Sequence, residues 1–296
     1  MKECYLYKKL TQNKVQCRTC GHYCLIEDKK TGKCGVRKNE NGRLYSLVYG
    51  QPCAINIDPI EKKPLYHFLP KTQTLSIATV GCNFTCWACQ NWQISQVMGG
   101  SDPPQFGEGQ TLPAKIVEMA VQNRCPSISY TYTEPTVFLE YALDIMKLAK
   151  KAGLENIWVS NGFFSKETFN LILPYLDATN IDLKGFDENF YQKYCGARLQ
   201  PVLENLKKLK KAGVWLEITT LVIPTLNDSP TTFEKIADFI ANELGQDTPW
   251  HISRFSPEIS WKLQHLPSTP LSILQTAQQI GKEHGLKNVH LGNILV

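Results

Sequence analysis

The amino-acid sequence predicts an α/β protein with a parallel sheet, preceded by a small cysteine-rich module. Three observations lead to this prediction. From residue 72 onward, short β-branched apolar runs alternate with helical patterns, as a parallel sheet with helical crossovers requires. Residues 1–70 instead carry turn and proline signals and no long helical pattern. With 296 residues, the chain has room for one large α/β domain and a small module.

The predicted elements follow one another in a regular order. Strands are expected at residues 74–80, 127–133, 156–160, 178–183, 214–223 and 250–255. Helices are expected between them at residues 113–122, 136–151, 166–176, 201–211 and 231–244, followed by a final helix at 271–285 and a strand at 289–294. Gly153 and Gly213 mark predicted helix ends, because glycine adopts the left-handed conformation found there. Thr231 precedes Glu234 by three residues, as in a capping box.

Composition excludes several classes of protein. Hydrophobic content of 43% and charged content of 20% are typical of a globular chain, so disorder is not expected. The net charge of +5 is modest and the lysines of the chain are scattered, so we expect no nucleic-acid binding. A slightly basic surface would suit an acidic electron donor such as a flavodoxin or ferredoxin. No apolar stretch approaches the roughly 20 residues that span a bilayer, and the start lacks a hydrophobic signal core. We therefore expect a cytoplasmic protein without a membrane segment.

Three cysteines follow the first predicted strand of the large domain: Cys82, Cys86 and Cys89, with the spacing C-x3-C-x2-C. A [4Fe–4S] cluster is normally held by four cysteine thiolates, so three would leave one iron open to a small molecule. The alternatives are a zinc loop or three buried free thiols. In a reducing compartment, clustered cysteines favour metal binding over disulfides.

The segments around this triplet resemble the radical S-adenosylmethionine (radical SAM) superfamily. Within it, the sequence is similar to the radical enzymes of the AmmeMemoRadiSam system and to pyruvate formate-lyase activating enzymes, in residues 58–65, 81–84, 90–92, 131–136 and 250–255. The resemblance implies a partial (β/α)6 TIM-type barrel, a [4Fe–4S] cluster on the triplet, and S-adenosylmethionine bound at the open iron. It also implies that one electron splits the sulfonium bond, which yields methionine and a 5′-deoxyadenosyl radical that abstracts hydrogen from a substrate.

Polar residues fall where the predicted strands end, at the edge where ligands of parallel sheets bind. Glu134 has a carboxylate suited to the amino group of the cofactor, with a helix N-terminal acid as the alternative. Asn161 stands in Ser-Asn-Gly, similar to the Thr-Asn-Gly of activating enzymes, where Gly162 permits close backbone approach. A plain turn is the alternative for Asn161.

Four further residues extend this set of candidate cofactor residues. Asp182 and Lys184 match an Asp-x-Lys of activating enzymes, although a purely structural ion pair is also compatible. Arg254 and His251 lie on the sixth strand, where a side chain would meet the adenine, ribose or carboxylate of the cofactor. Their three-residue offset places them on opposite faces. We rank His251 below Arg254, because a lone strand histidine commonly serves the core.

The cysteine-rich module contains a second set, Cys17, Cys20, Cys24 and Cys34, within 18 residues. Four thiolates at this spacing suit either a tetrahedral zinc ion or a second iron–sulfur cluster, and the sequence leaves both open. Free thiols are the third alternative. We expect a metal-binding module over residues 1–70 and the radical SAM partial barrel over residues 71–296.

The sequence therefore predicts an enzyme that reductively cleaves S-adenosylmethionine and abstracts hydrogen from a substrate. By similarity to activating enzymes, the first hypothesis is radical formation on a partner protein, at a glycine. The second is modification of a small molecule with companion proteins. A non-catalytic zinc or iron–sulfur module is the alternative from a different class.

Overall fold

The computed structural model describes residues 1–96 and 110–294. The chain divides into two compact units. The first comprises Met1–Asn83 and Gln93–Ala178, and the second comprises Phe84–Trp92 and Thr179–Val296. The predicted boundary at residue 70 remains a prediction.

The amino-terminal part of the first unit contains short strands: β1 (Lys2–Glu3), β2 (Tyr7–Lys9), β3 (Val15–Cys17), β4 (Leu25–Ile26), β5 (Arg37–Glu40) and β6 (Arg43–Ser46). They form two antiparallel sheets with the orders β1-β6-β5 and β2-β3-β4. A small apolar cluster that includes Val15, Ile26 and Leu44 is buried between these strands and their loops. The module is thus built from short strands and turns, without a long helix.

The larger sheet of the first unit has the order β7 (Ala54–Pro59), β8 (Gln73–Ala78), β9 (Ser127–Tyr130) and β10 (Glu155–Ser160). Its strands β8, β9 and β10 are parallel, and β7 pairs antiparallel with β8. The accompanying helices are α1 (Trp92–Ser95), α2 (Pro113–Gln122), α3 (Leu139–Lys151) and α4 (Lys166–Ile172). The sequence predicts no strand at β7, because the proline signals of residues 1–70 indicate turns. Pro59 is the last residue of this outer strand, a position where proline is tolerated.

The second unit contains β11 (Ala178–Asp182), β12 (Trp215–Val222), β13 (Trp250–Arg254) and β14 (Val289–Gly292), again adjacent in chain order. Strands β12, β13 and β14 are parallel. Its helices are α5 (Glu188–Phe190), α6 (Gln200–Lys211), α7 (Pro230–Phe239) and α8 (Leu271–Glu283). A π-helical turn, Tyr191–Cys195, continues α5. The prediction of an α/β fold with a mostly parallel sheet is confirmed.

Two local predictions were wrong. The second predicted strand ends at Tyr130 rather than at residue 133, because Tyr132 adopts a left-handed conformation with φ +62°. Glu134 therefore does not end a strand but precedes the 3-10 helix Pro135–Phe138. The capping residue of α7 is Ser229 rather than Thr231, since Pro230 occupies the first helical position and the hydroxyl of Ser229 accepts a hydrogen bond from the Thr232 amide.

The helix ends at Gly153 and Gly213 are confirmed, with φ of +74° and +77°. Each glycine comes directly after the C-capping residue of its helix. A residue in the left-handed conformation at this position ends the helical hydrogen bonds. Across the described ranges, none of the helices has the length and apolarity needed to cross a membrane.

Candidate active site

Glu134 is almost fully buried at the start of the 3-10 helix and is surrounded by donors from the first unit. Its Oε2 accepts a hydrogen bond from the Asn161 amide at 2.9 Å, and the Ser160 hydroxyl donates to both carboxylate oxygens at 2.9 and 3.1 Å. The amide of Thr136 donates to Oε1 at 3.1 Å. Burial raises the pKa of Glu134, and these hydrogen bonds oppose that shift. The Thr136 hydroxyl also donates to Oε1, so four donors occupy the roughly four acceptor positions of this carboxylate.

Asn161 connects Glu134 to the residue after the first cysteine of the triplet. Its Nδ2 donates to Oδ1 of Asn83 at 2.7 Å, and its Oδ1 accepts from the Phe163 amide at 3.0 Å. Gly162, between them, has φ +72°. Asn83 directly follows Cys82, so the Asn161 side chain fixes the backbone segment that presents Cys82. The sequence analysis assigned Asn83 no role, although it stands in the motif that contains Cys82.

Cys86 has a sulfur partner that the sequence analysis missed. The thiol of buried Cys195 donates a hydrogen bond to Cys86, which lowers the pKa of Cys86; the ammonium group of Lys184 adds to this effect, and burial opposes it. The same hydrogen bond raises the pKa of Cys195. Cys195 belongs to neither cysteine set that the sequence indicates, and its hydrogen bond favours the thiolate form of Cys86.

The loop that carries Cys86 is attached to the π-helical turn of the second unit by its backbone. The Thr85 amide donates to the Cys195 carbonyl at 2.9 Å, and the Trp87 amide donates to the Tyr194 carbonyl at the same distance. Gly196 ends the turn with φ +68°, and a Cβ placed there would lie 2.2 Å from Oγ1 of Thr85. Glycine is required at this position because a side chain would push the loop away.

Asp182 and Lys184 form the ion pair that their spacing suggested, with Nζ of Lys184 2.9 Å from Oδ2 of Asp182. Asp182 ends β11, and Lys184 lies beyond the strand. The pKa of Lys184 is raised well above its usual range, because the negative charges of Asp182 and of the Cys86 thiolate outweigh its burial. Lys184 therefore remains an ammonium group close to Cys86.

Arg254 and His251 have different surroundings, as their offset on β13 predicts. Nε of Arg254 donates to the Thr269 carbonyl at 2.9 Å, and the side chain remains partly exposed. His251 is buried, with Nε2 2.6 Å from Oε2 of Glu217, and its ring stacks on His290. These contacts agree with the core alternative for His251. Its assignment as a cofactor residue remains a prediction, as does that of Arg254.

The four cysteines of the amino-terminal module, Cys17, Cys20, Cys24 and Cys34, line one pocket within the first unit. Burial raises the pKa of the Cys34 thiol to about 11, so it is protonated at neutral pH in the metal-free chain. Over residues 1–96 and 110–294, no three His, Cys, Asp or Glu side chains already form a group that could hold a single metal ion.

The parallel α/β fold and the cysteine triplet after its first parallel strand define a class of iron–sulfur enzyme. Residues 76–240 match the family model of the radical SAM superfamily. The chain belongs to this superfamily. Membership implies a [4Fe–4S] cluster and S-adenosylmethionine as cofactors, so the predicted family and class of chemistry are confirmed.

Related proteins agree with this assignment. An uncharacterised protein of Methanocaldococcus jannaschii is 46% identical over 294 residues, which cover 99% of this chain and 86% of that protein. The pyruvate formate-lyase-activating enzyme of Clostridium pasteurianum is 25% identical over 164 residues, covering 55% of this chain and 67% of that enzyme. A radical SAM methyltransferase from Sphaerobacter thermophilus, of known structure, matches with a TM-score of 0.57 at 13% identity, covering 76% of this chain and 67% of that one. This last likeness shows the fold alone and is consistent with a partial barrel.

Proposed function

We propose that the protein cleaves S-adenosylmethionine reductively and abstracts a hydrogen atom from a glycine of a partner protein, as an activating enzyme does. The observation that supports this substrate class is the similarity to the activating enzyme of Clostridium pasteurianum over more than half of the chain. When bound, the [4Fe–4S] cluster and S-adenosylmethionine supply the 5′-deoxyadenosyl radical that takes the hydrogen atom. The reaction belongs in the cytoplasm, where thiols remain reduced.

The cluster ligands in this proposal are Cys82, Cys86 and Cys89. Their spacing supplies three thiolates and leaves a fourth iron for the cofactor. The surroundings of Cys86 fit this role, since a hydrogen bond from Cys195 and the positive charge of Lys184 both favour a thiolate there.

Other residues of the chain bind and orient the cofactor. Glu134 accepts the ammonium group of the cofactor in place of one of its present donors, because a charge-assisted hydrogen bond to a buried carboxylate is strong. Asn161 orients Glu134 and Asn83 through two hydrogen bonds, one to each. Asp182, Lys184, Arg254 and His251 are the further candidates for contacts with the polar groups of the cofactor. An acidic flavodoxin or ferredoxin supplies the electron.

The cleavage half of the proposal is tested by 5′-deoxyadenosine formation. The protein is reconstituted anaerobically with iron and sulfide, reduced with dithionite and mixed with S-adenosylmethionine. We expect product from the unaltered protein and a loss of at least about a hundredfold from the Cys86→Ala variant, because two thiolates hold the cluster poorly. Cys53→Ala, which changes a cysteine outside both sets, is the control and should retain activity. Equal product from the Cys86→Ala variant would refute the ligand assignment.

The partner half requires a separate measurement. The reduced enzyme is incubated with candidate partner proteins from the same genome, and electron paramagnetic resonance is recorded for a glycyl radical. A radical that depends on S-adenosylmethionine supports the proposal. Silence with every candidate, while 5′-deoxyadenosine still forms, would reject the protein substrate and leave reductive cleavage intact.

A further inference from the structure

The amino-terminal cysteine set surrounds a pocket within the first unit. All four residues, Cys17, Cys20, Cys24 and Cys34, line it, and its cavity volume is about 20 Å³. Among the described residues, these cysteines do not converge as a group that could hold one metal ion, and such an arrangement suits a cluster with one iron for each thiolate. A single zinc ion would instead require all four sulfurs to converge to about 2.3 Å from one point.

Backbone amides are already directed at the sulfurs. Three of the four sulfurs accept an N–H hydrogen bond: Cys20 from His22, Cys24 from Lys33 and Cys34 from Val36. Two of these donors stand two residues after their cysteine, where the turn following the cysteine brings the amide toward the sulfur. Such hydrogen bonds stabilise thiolates, and they tune iron–sulfur clusters.

Two buried donors that line the same pocket have no partner among the described residues: Nε of Arg37 and Nδ2 of Asn83. Arg37 is 2% exposed, and its two terminal nitrogens donate to Glu140 at 3.1 and 2.7 Å. Nε is the remaining donor of this guanidinium group. A buried N–H group without a partner is unfavourable, because it has lost its hydrogen bonds to water. Donors placed beside four cysteines therefore call for an anionic group in the pocket.

We propose that Cys17, Cys20, Cys24 and Cys34 hold a second iron–sulfur cluster, a [4Fe–4S] cluster ligated at all four irons. The thiolates of such a cluster accept hydrogen bonds, and its bridging sulfides offer Arg37 and Asn83 further acceptors that a zinc ion on the same four thiolates lacks. Because no iron is left open, this cluster does not bind S-adenosylmethionine.

The pocket also lies beside residues that lead to the proposed cofactor site. Nε2 of His22 is 2.8 Å from the Asn83 carbonyl oxygen, and Asn83 is hydrogen-bonded to Asn161. The pocket thus lies against the segment that presents Cys82. The inference itself does not depend on the proposed function, because its ligands are all outside the triplet.

The test uses a variant that removes the first cluster and leaves the second set intact: Cys82→Ala/Cys86→Ala/Cys89→Ala. After anaerobic reconstitution, we expect about eight irons and eight sulfides per chain in the unaltered protein and about four of each in the triple variant. The reduced triple variant should show an electron paramagnetic resonance signal that added S-adenosylmethionine does not alter. Cys53→Ala is the control and should retain about eight irons.

Two outcomes would overturn the proposal: a triple variant without iron, or one that contains about one zinc per chain in place of iron. Adding Cys34→Ser to the triple variant should remove the remaining iron. If that quadruple variant fails to fold, the iron and zinc contents of the triple variant still decide the question. If this second cluster is rejected, the proposed cleavage of S-adenosylmethionine is not affected. If that cleavage is rejected, the second cluster is not affected.

Discussion

At the scale of single residues, the structure adds partners to the cysteine that the spacing identified. Cys86 follows from its motif, but its hydrogen bond from Cys195 does not, because Cys195 belongs to a distant turn with no motif of its own. The same holds for Asn83, whose contact with Asn161 joins two segments far apart in the chain. The type of a residue and its neighbours in the sequence predict its own chemistry. Its hydrogen-bonding partner in the folded chain depends on tertiary packing.

Replacing Cys195 tests the role of this partner. Hydrogen bonds to cluster sulfurs raise the reduction potential, since they stabilise the more negative reduced state. We expect the Cys195→Ala variant to retain its iron but to reduce at a more negative potential, with slower formation of 5′-deoxyadenosine. Potentiometric titration followed by electron paramagnetic resonance measures the shift.

The controls for this prediction are Cys195→Ser, which restores a donor, and Cys125→Ala, which removes another buried cysteine. Cys195→Ser should recover most of the potential, and Cys125→Ala should leave it unchanged. An unaltered potential in the Cys195→Ala variant would show that the contact with Cys86 is only a packing contact.

At the scale of elements, the loop with Cys86 depends on the turn that follows α5. Two backbone hydrogen bonds attach Thr85 and Trp87 to this turn, and Gly196 closes it in a left-handed conformation against Thr85. Sequence periodicity predicted the principal strands and helices, because those patterns are local. It did not predict this turn, whose conformation is stabilised by the loop packed on it.

A pair of glycine substitutions separates conformational strain from steric contact. Gly196 and Gly213 have similar φ values, +68° and +77°, but a Cβ at Gly213 has nothing within 4 Å. Gly213→Ala should cost about 1 kcal/mol from the left-handed conformation alone. Gly196→Ala should cost about 2–4 kcal/mol, because contact with Thr85 is added. Urea unfolding measures both, and equal losses would contradict the steric argument.

At the scale of the whole molecule, a buried ion pair ties the amino-terminal module to α3. Arg37 and Glu140 are 103 positions apart, at 2% and 0% exposure, and the Tyr5 amide also donates to Glu140 at 3.1 Å. Neither residue stands in a recognisable motif. The module therefore packs against the α/β part through charges whose pairing requires the complete fold.

Breaking this pair should destabilise the fold strongly. Glu140→Gln keeps the size of the side chain but leaves Arg37 as an unpaired buried cation, at a cost of about 3–5 kcal/mol. Glu243→Gln, which breaks the half-exposed pair with Lys207, should cost at most about 1 kcal/mol. Both are measured by urea unfolding followed by circular dichroism. Similar losses in the two variants would mean that the buried pair contributes no more than a surface one.

The second strand shows where local prediction reached its limit. The run 131–133 is β-branched and aromatic, which is typical of a strand. In the structure, Tyr132 adopts a left-handed conformation, its hydroxyl hydrogen-bonds to Asp58, and its ring lies 4.3 Å from Nζ of Lys63. These contacts from an outer strand and its following turn override the local preference and place Glu134 at a helix start.

The sequence by itself determined the family, the alternating strands and helices, and the cysteines of both sets. Each of these is encoded in residues a few positions apart, whose spacing and periodicity persist in any conformation. Only the tertiary structure decided which groups surround those cysteines: Cys195 beside Cys86, Asn83 bound to Asn161, and Arg37 paired with Glu140. The physical reason is that a buried donor or charge pairs with a group that folding brings within hydrogen-bonding distance. Such groups are far apart in the sequence, so local spacing does not predict which of them will meet.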